Sequence, residues 1–153
     1  MIATNTKALY KIGALFSLIF LCSFLHARGQ SADAITGIWL SADKDAKVEI
    51  YKSGTRYNGK IAWIKNVNEA DGTPRRDKYN PDTKLRQRRI AGLEILTGFS
   101  YNDGEWTGGK IYDPKSGKTY SSKMKLKGNR LDIRGYVGAP LFGRTTEWTR
   151  SNL

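Results

Sequence analysis

From Gly37 onward, apolar and polar residues alternate in short runs separated by turn-forming residues. Val48 and Ile50 stand against Lys47 and Glu49, while Leu131, Ile133, Gly135 and Val137 stand against Arg130, Asp132 and Arg134. A period of two marks half-buried strands, and no helical period is sustained long enough for a core helix. The pattern predicts eight strands: Gly37 to Leu40, Lys47 to Lys52, Arg56 to Ile64, Leu93 to Tyr101, Glu105 to Tyr112, Thr119 to Lys127, Arg130 to Val137 and Thr145 to Arg150. Ser53-Gly54, Asn102-Asp103-Gly104, Asp113 to Gly117 and Gly128-Asn129 are short links, so consecutive strands are antiparallel neighbours in a meander. Parity puts Tyr57, Gly59, Ile61 and Trp63 on one face, and Leu93, Ile95, Thr97, Phe99 and Tyr101 on one face of their strand. With no helix to cover that face, the sheet closes on itself as an all-β, single antiparallel up-and-down barrel. An interior of this size holds packed side chains or one small ligand.

Two connections depart from the short-link rule. The longer, Asn66 to Gly92, is polar and basic. Within it, Asn80-Pro81-Asp82 supplies an N-cap, a first-turn proline and a first-turn acid, which predicts one or two helical turns over Pro81 to Gln87. The other, GAPLFG from Gly138 to Gly143, sets Leu141 and Phe142 between glycines, where they either plug the barrel end or meet a ligand.

Charge and composition then narrow the function. Lys7 and Lys11 precede the apolar run Ile12 to Leu25, and small residues follow it, which reads as a signal peptide over 1–29 with cleavage somewhere in 27–34. The run is too short to span a bilayer. Leu21 before Cys22 is too large for a lipidation site. The expected product, 30–153, is one domain in the periplasm or secreted, with no transmembrane segment. It carries 23 Lys and Arg against 14 Asp and Glu, a basic balance suited to anionic envelope polymers, lipids or fatty carboxylates. Nucleic acid is not expected outside the cell. Cys22 and His26 are the only residues of their kinds, so the exported chain lacks zinc ligation, cysteine or histidine nucleophile systems and disulfides. No metal and no cofactor are expected.

Gly117-Lys118-Thr119 ends as a phosphate-binding loop ends, but Tyr112 stands where the first glycine belongs, and a strand pattern rather than a helix follows. Asp113 to Gly117 reads instead as a hairpin turn.

Together, GIWLSADKDAKVEIYKSGTRYNGKIAWIK, RRDKYNPDTKLRQR, GGKIYDPKSGKTY and RLDIRGYVGAPLFGRTTEWTR resemble the bacterial exported proteins grouped as domain of unknown function 2147. The resemblance implies a lipocalin-like (calycin) barrel and no established activity or catalytic residues. In lipocalins, the tryptophan of a Gly-x-Trp first strand packs at the closed end beneath an arginine from beyond the last strand. Trp39 matches the first, and Arg150, with Arg144 as rival, matches the second. The Thr-Asp-Tyr triplet and disulfides of many lipocalins are absent.

The expected function is therefore an exported carrier of an apolar or amphipathic anion such as a fatty acid. The candidate wall is Trp63, Phe99, Tyr120, Met124, Ile133 and Trp148, and each is equally readable as core. Candidates for the anionic head are Arg144, Arg86, Arg88 and Arg89. The alternative is an envelope-associated module that docks on acidic polysaccharide or lipid through the basic loop, with a filled barrel. An enzyme is not expected: only carboxylates such as Glu94, Asp113 and Glu147, or a lysine with a depressed pKa, remain as catalysts, and no spacing pairs the acids.

Overall fold

A computed structural model describes residues 31–153 of the chain. The expected signal peptide, 1–29, lies outside the described residues. The strands are β1 (Gly37–Leu40), β2 (Ala46–Ser53), β3 (Arg56–Ile64), β4 (Glu94–Asn102), β5 (Glu105–Asp113), β6 (Lys118–Lys127), β7 (Arg130–Tyr136) and β8 (Arg144–Ser151). They form a closed antiparallel barrel in sequence order, with β8 returning to β1 through Trp39 opposite Arg150. Among the described residues, no helix is long and apolar enough to cross a membrane.

Inner and outer faces follow strict alternation on β7 and β8, where Leu131 opposes Trp148 and Ile133 opposes Thr146. On β3, β4 and β5 bulges break it, because one extra residue exchanges the two faces beyond it. Val48 pairs with Ile61 but Lys47 with Trp63, so Ala62 is extra and Trp63 turns outward. Trp63 is 40% exposed, and the Lys47 ammonium lies 5.7 Å from its ring centroid. The expected common face of Tyr57, Gly59, Ile61 and Trp63 therefore ends at Ile61. On β4, Tyr57 pairs with Phe99 and Gly59 with Leu96, which leaves an extra residue beside Gly98 at φ 75°. Leu96 and Phe99 are buried inward, while Thr97 opposes Lys110. The single face expected from Leu93 to Tyr101 is thus split. Trp106 pairs with Met124 and Gly109 with Ser122, so β5 has its own irregularity at Gly108, φ 72°. Glycine reaches these positive φ values without steric cost.

The bulges deliver the large side chains that fill the interior. The Phe99 ring lies on the bare face of Gly109, where an added Cβ would stand 2.4 Å from its carbons. Leu96 similarly approaches Gly59, at 2.9 Å from an added Cβ. With Val48, Ile50, Tyr57, Trp106, Met124, Leu131 and Ile133, each at most 2% exposed, they make a packed core.

One end of the barrel is closed by a 3-10 turn, Ala32–Ile35, whose Ile35 is fully buried. Its backbone carbonyls receive the barrel's polar groups: Trp39 Nε1 donates to Ile35 O at 2.8 Å and Trp106 Nε1 to Ala32 O at 3.1 Å. Arg150 takes the position over Trp39, 4.2 Å from the ring centroid, and donates to Thr36 O at 3.0 Å and Ala34 O at 2.5 Å. Arg144 lies at the other end of β8. Asp33 accepts from Lys52 at 2.8 Å and from the Tyr57 hydroxyl.

Arg150→Ala removes the cation from the indole and two charged hydrogen bonds, and is expected to lower unfolding free energy by about 2–4 kcal/mol. Urea unfolding followed by circular dichroism measures it. Gly109→Ala is expected to cost about 1–3 kcal/mol through overpacking against Phe99; an unchanged midpoint would show that the ring is not held there.

Candidate functional site

The opposite end, the mouth, is built from the connections 41–45, 65–93, 114–117 and 137–143. The longest folds back on itself: Arg75 N donates to Val67 O at 2.9 Å, Ile90 N to Arg75 O at 3.0 Å and Asp77 N to Arg88 O at 2.9 Å. Asp77 is fully buried. A buried carboxylate needs donors on its oxygens, and here Arg88 supplies one at 2.8 Å, Asn80 Nδ2 another at 2.8 Å and the Tyr112 hydroxyl of β5 a third at 2.5 Å. Burial and then the bond to Asp77 push the Tyr112 hydroxyl up to about 12.

The helical turn expected within Pro81 to Gln87 forms, but this clasp takes its expected cap, Asn80, for another use. Asn80 turns inward to Asp77 and Tyr112, while its Oδ1 accepts from Asp82 N at 2.9 Å. The helical turn that forms is Thr83–Leu85, capped by Asp82, whose carboxylate accepts from Lys84 N.

Two further contacts join the loop to its neighbours. Gly117, at φ 71°, packs against the Tyr79 carbonyl so closely that an added Cβ would lie 1.9 Å from the oxygen. The glycine that suggests a phosphate loop thus belongs to a hairpin, closed by Gly117 N to Asp113 O at 2.8 Å. Lys115 in the same hairpin reaches Asp45 at 2.8 Å and Asp43 at 3.1 Å. The Asp45 bond raises the Lys115 pKa; burial opposes the ionised Asp45, but its bonds from Lys115 and Ser41 outweigh that and lower its pKa.

Between these elements lies a cleft of about 320 Å³. Ala46, Ile61, Ile64 and Ile90 give it apolar surface, Tyr79 and Pro114 flank it, and Lys65, Arg75, Arg76, Lys78 and Lys115 bring cations to it. Asp45 and Glu69 are its acids, and Glu69 pairs with Arg75 at 3.6 Å and Lys78 at 3.5 Å. The arrangement suits a small molecule with an apolar body and an anionic group.

The residues singled out from sequence are dispersed relative to this cleft. Phe99, Met124 and Ile133 are packed inside the barrel with Trp148 beneath 10% exposure, Tyr120 is half-buried, and Trp63 is outside. Arg88 is engaged by Asp77, and Arg86 donates Nε to Asn80 O at 2.7 Å, so both are used within the loop. Arg89 and Arg144 are exposed near the mouth, and neither lines the cleft. Sequence reasoning missed Ile64, Lys65, Arg75, Lys78 and Ile90. One signal was available: Asp77 is a lone acid between Arg76 and Lys78.

Asp77→Ala is expected to cost about 2–4 kcal/mol, since it strands Arg88, Asn80 and Tyr112. It should also make 65–93 the first site of tryptic cutting. Because the Tyr112 pKa is raised in the fold from 10 to about 12, its contribution is complete below pH 10 and lost as pH rises toward 12. Urea midpoints measured from pH 8 upward should fall through that window, and less steeply in Tyr112→Phe.

The fold compares with that of a protein from the human pathogen Helicobacter pylori described as belonging to the lipocalin family. The two are 24% identical, with a TM-score of 0.64 over 77% of this chain and 83% of that one. No curated protein matches the sequence. The family model described as an uncharacterized protein conserved in bacteria matches residues 37–150, from the first strand through Arg150 of the last. With most of its length so matched and the lipocalin-like barrel in place, this chain belongs to the bacterial family designated domain of unknown function 2147.

Proposed function

We propose that this protein is an exported binding protein for a small amphipathic anion, a medium-chain carboxylate being the simplest representative, and that the ligand sits in the mouth cleft rather than deep in the barrel. The observation that carries the reading is the contrast between the two places. The interior is occupied by the protein's own Phe99 and Leu96, seated on Gly109 and Gly59, whereas the cleft of about 320 Å³ has apolar surface and a surplus of cations. Lipocalin-like barrels commonly hold their ligands toward the open end, so the fold supports the same placement. No nucleophile system is proposed. Of the cleft's carboxylates, Asp45 is held ionised by its bonds from Lys115 and Ser41, and Glu69 is paired with Arg75 and Lys78.

Calorimetric titration with a series of straight-chain carboxylates tests this. Affinity is expected to rise about fourfold per added methylene, the equivalent of about 0.8 kcal/mol, until the tail outgrows the cleft. Ile90→Glu and Lys65→Glu should each weaken binding at least roughly tenfold, one by spoiling the apolar surface and the other by reversing a charge. Phe99→Leu should leave affinity unchanged. The opposite result, sensitivity to Phe99→Leu without sensitivity to Ile90→Glu, would move the ligand into the barrel. Binding abolished by high salt would transfer the role to the exposed cations of 65–93 and their docking on acidic polymers. Absence of saturable binding by any of the series would end the carrier reading.

A further inference from the structure

Exposed apolar side chains are gathered at one end of this molecule. Among the described residues, seven large hydrophobics are exposed, and five of them, Val67, Tyr79, Val137, Leu141 and Phe142, stand on connections of the mouth. The most exposed of these five are Leu141 at 81%, Phe142 at 80% and Val137 at 72%, all on the connection between β7 and β8. A solvated loop ordinarily carries polar residues, so three large apolar side chains on one short turn need a partner.

The turn is built to present them. Phe142 N donates to Ala139 O and Gly143 N to Pro140 O, both at 3.1 Å. Arg134 of β7 reaches across and donates Nε to Pro140 O at 2.6 Å, Nη2 to Leu141 O at 3.2 Å and Nη1 to Thr145 Oγ1 at 2.9 Å. The carbonyls of Ala139, Pro140 and Leu141 are therefore already bonded, which lowers the cost of placing them in a medium that cannot hydrogen-bond to them.

Charge separates the same two ends. The four connections of the mouth carry ten Lys and Arg against six Asp and Glu, while the hairpin links 54–55, 103–104 and 128–129 at the other end carry one acid and no base. Two of the mouth's acids, Asp43 and Asp45, are held by Lys115, and Asp77 is buried. Arg144, immediately after the turn, is exposed. An apolar tip on a cationic face matches an anionic bilayer, which takes the side chains into its acyl boundary and the cations at its headgroups. Such an insertion is small, so the electrostatic part has to assist it.

We propose that the tip formed by Val137, Leu141 and Phe142 seats the barrel, mouth first, on an anionic lipid surface. This goes beyond ligand binding in the cleft and does not depend on it.

The test uses residues 31–153, which hold all eight barrel strands and the closing turn found among the described residues. Co-sedimentation is measured with vesicles of phosphatidylcholine alone and of phosphatidylcholine mixed equally with phosphatidylglycerol. The protein is expected to sediment with the mixed vesicles and at least roughly tenfold more weakly with phosphatidylcholine. The double variant Leu141→Ser, Phe142→Ser should lose at least roughly tenfold on mixed vesicles while keeping its circular dichroism and its carboxylate affinity, since both side chains are solvent-exposed. Phe142→Trp should show blue-shifted emission on the mixed vesicles. Equal binding by the double variant, binding by neither protein, or indifference to phosphatidylglycerol would each overturn the proposal. So would self-association that the double variant abolishes, because a second copy of the chain would then be what covers the tip.

Discussion

The Arg150 guanidinium over the Trp39 indole is the contact on which the barrel depends. It joins the last strand to the first at the seam where the sheet closes, and it also holds the 32–35 turn by the carbonyls of Ala34 and of the capping Thr36. A closed sheet has no unpaired edge, but closure requires the first and last strands to meet in one register. Trp39 and Arg150 pair directly across that seam, so a slip by one residue would send one of the two to the outside. The same residues thus select the register and cap the end.

Once one end is sealed, the interior has a fixed volume, and it is filled by the chain itself. Gly59 and Gly109 are recesses into which Leu96 and Phe99 fit. Close packing of this kind leaves little room for a ligand without displacing a core residue. Space for function is therefore found at the other end, where the long connection arches over the strand ends and is held down through buried Asp77.

The strand boundaries were legible from alternation and turn residues, and none of the eight departs by more than one residue from its predicted limit. The faces were legible only where no bulge intervenes. A bulge is a property of two strands in register, and the local pattern around Ala62 or Gly108 does not show which residue is the extra one. That is why Trp63 was expected inside and Leu96 and Trp106 were not singled out. The Trp39 and Arg150 pairing came from the family resemblance, since nothing in the local sequence of either residue brings them together. The mouth was the least legible part. Asp77 lies in a basic run that reads as a solvated surface, and only the fold shows that its carboxylate is buried against Tyr112, thirty-five positions away.

The turn at the closed end is recognised largely as a length of chain. Trp106, Trp39 and Arg150 bind the carbonyl oxygens of Ala32, Ala34, Ile35 and Thr36, groups that every amino acid possesses, while Asp33 and Ile35 add side chains that anchor it. Shortening the turn therefore removes acceptors that no substitution within it removes. A protease that trimmed the chain beyond Ala34 would leave an indole and a guanidinium facing an uncovered opening, without the acceptors that now occupy it. The integrity of these few residues therefore decides whether the barrel has one opening or two.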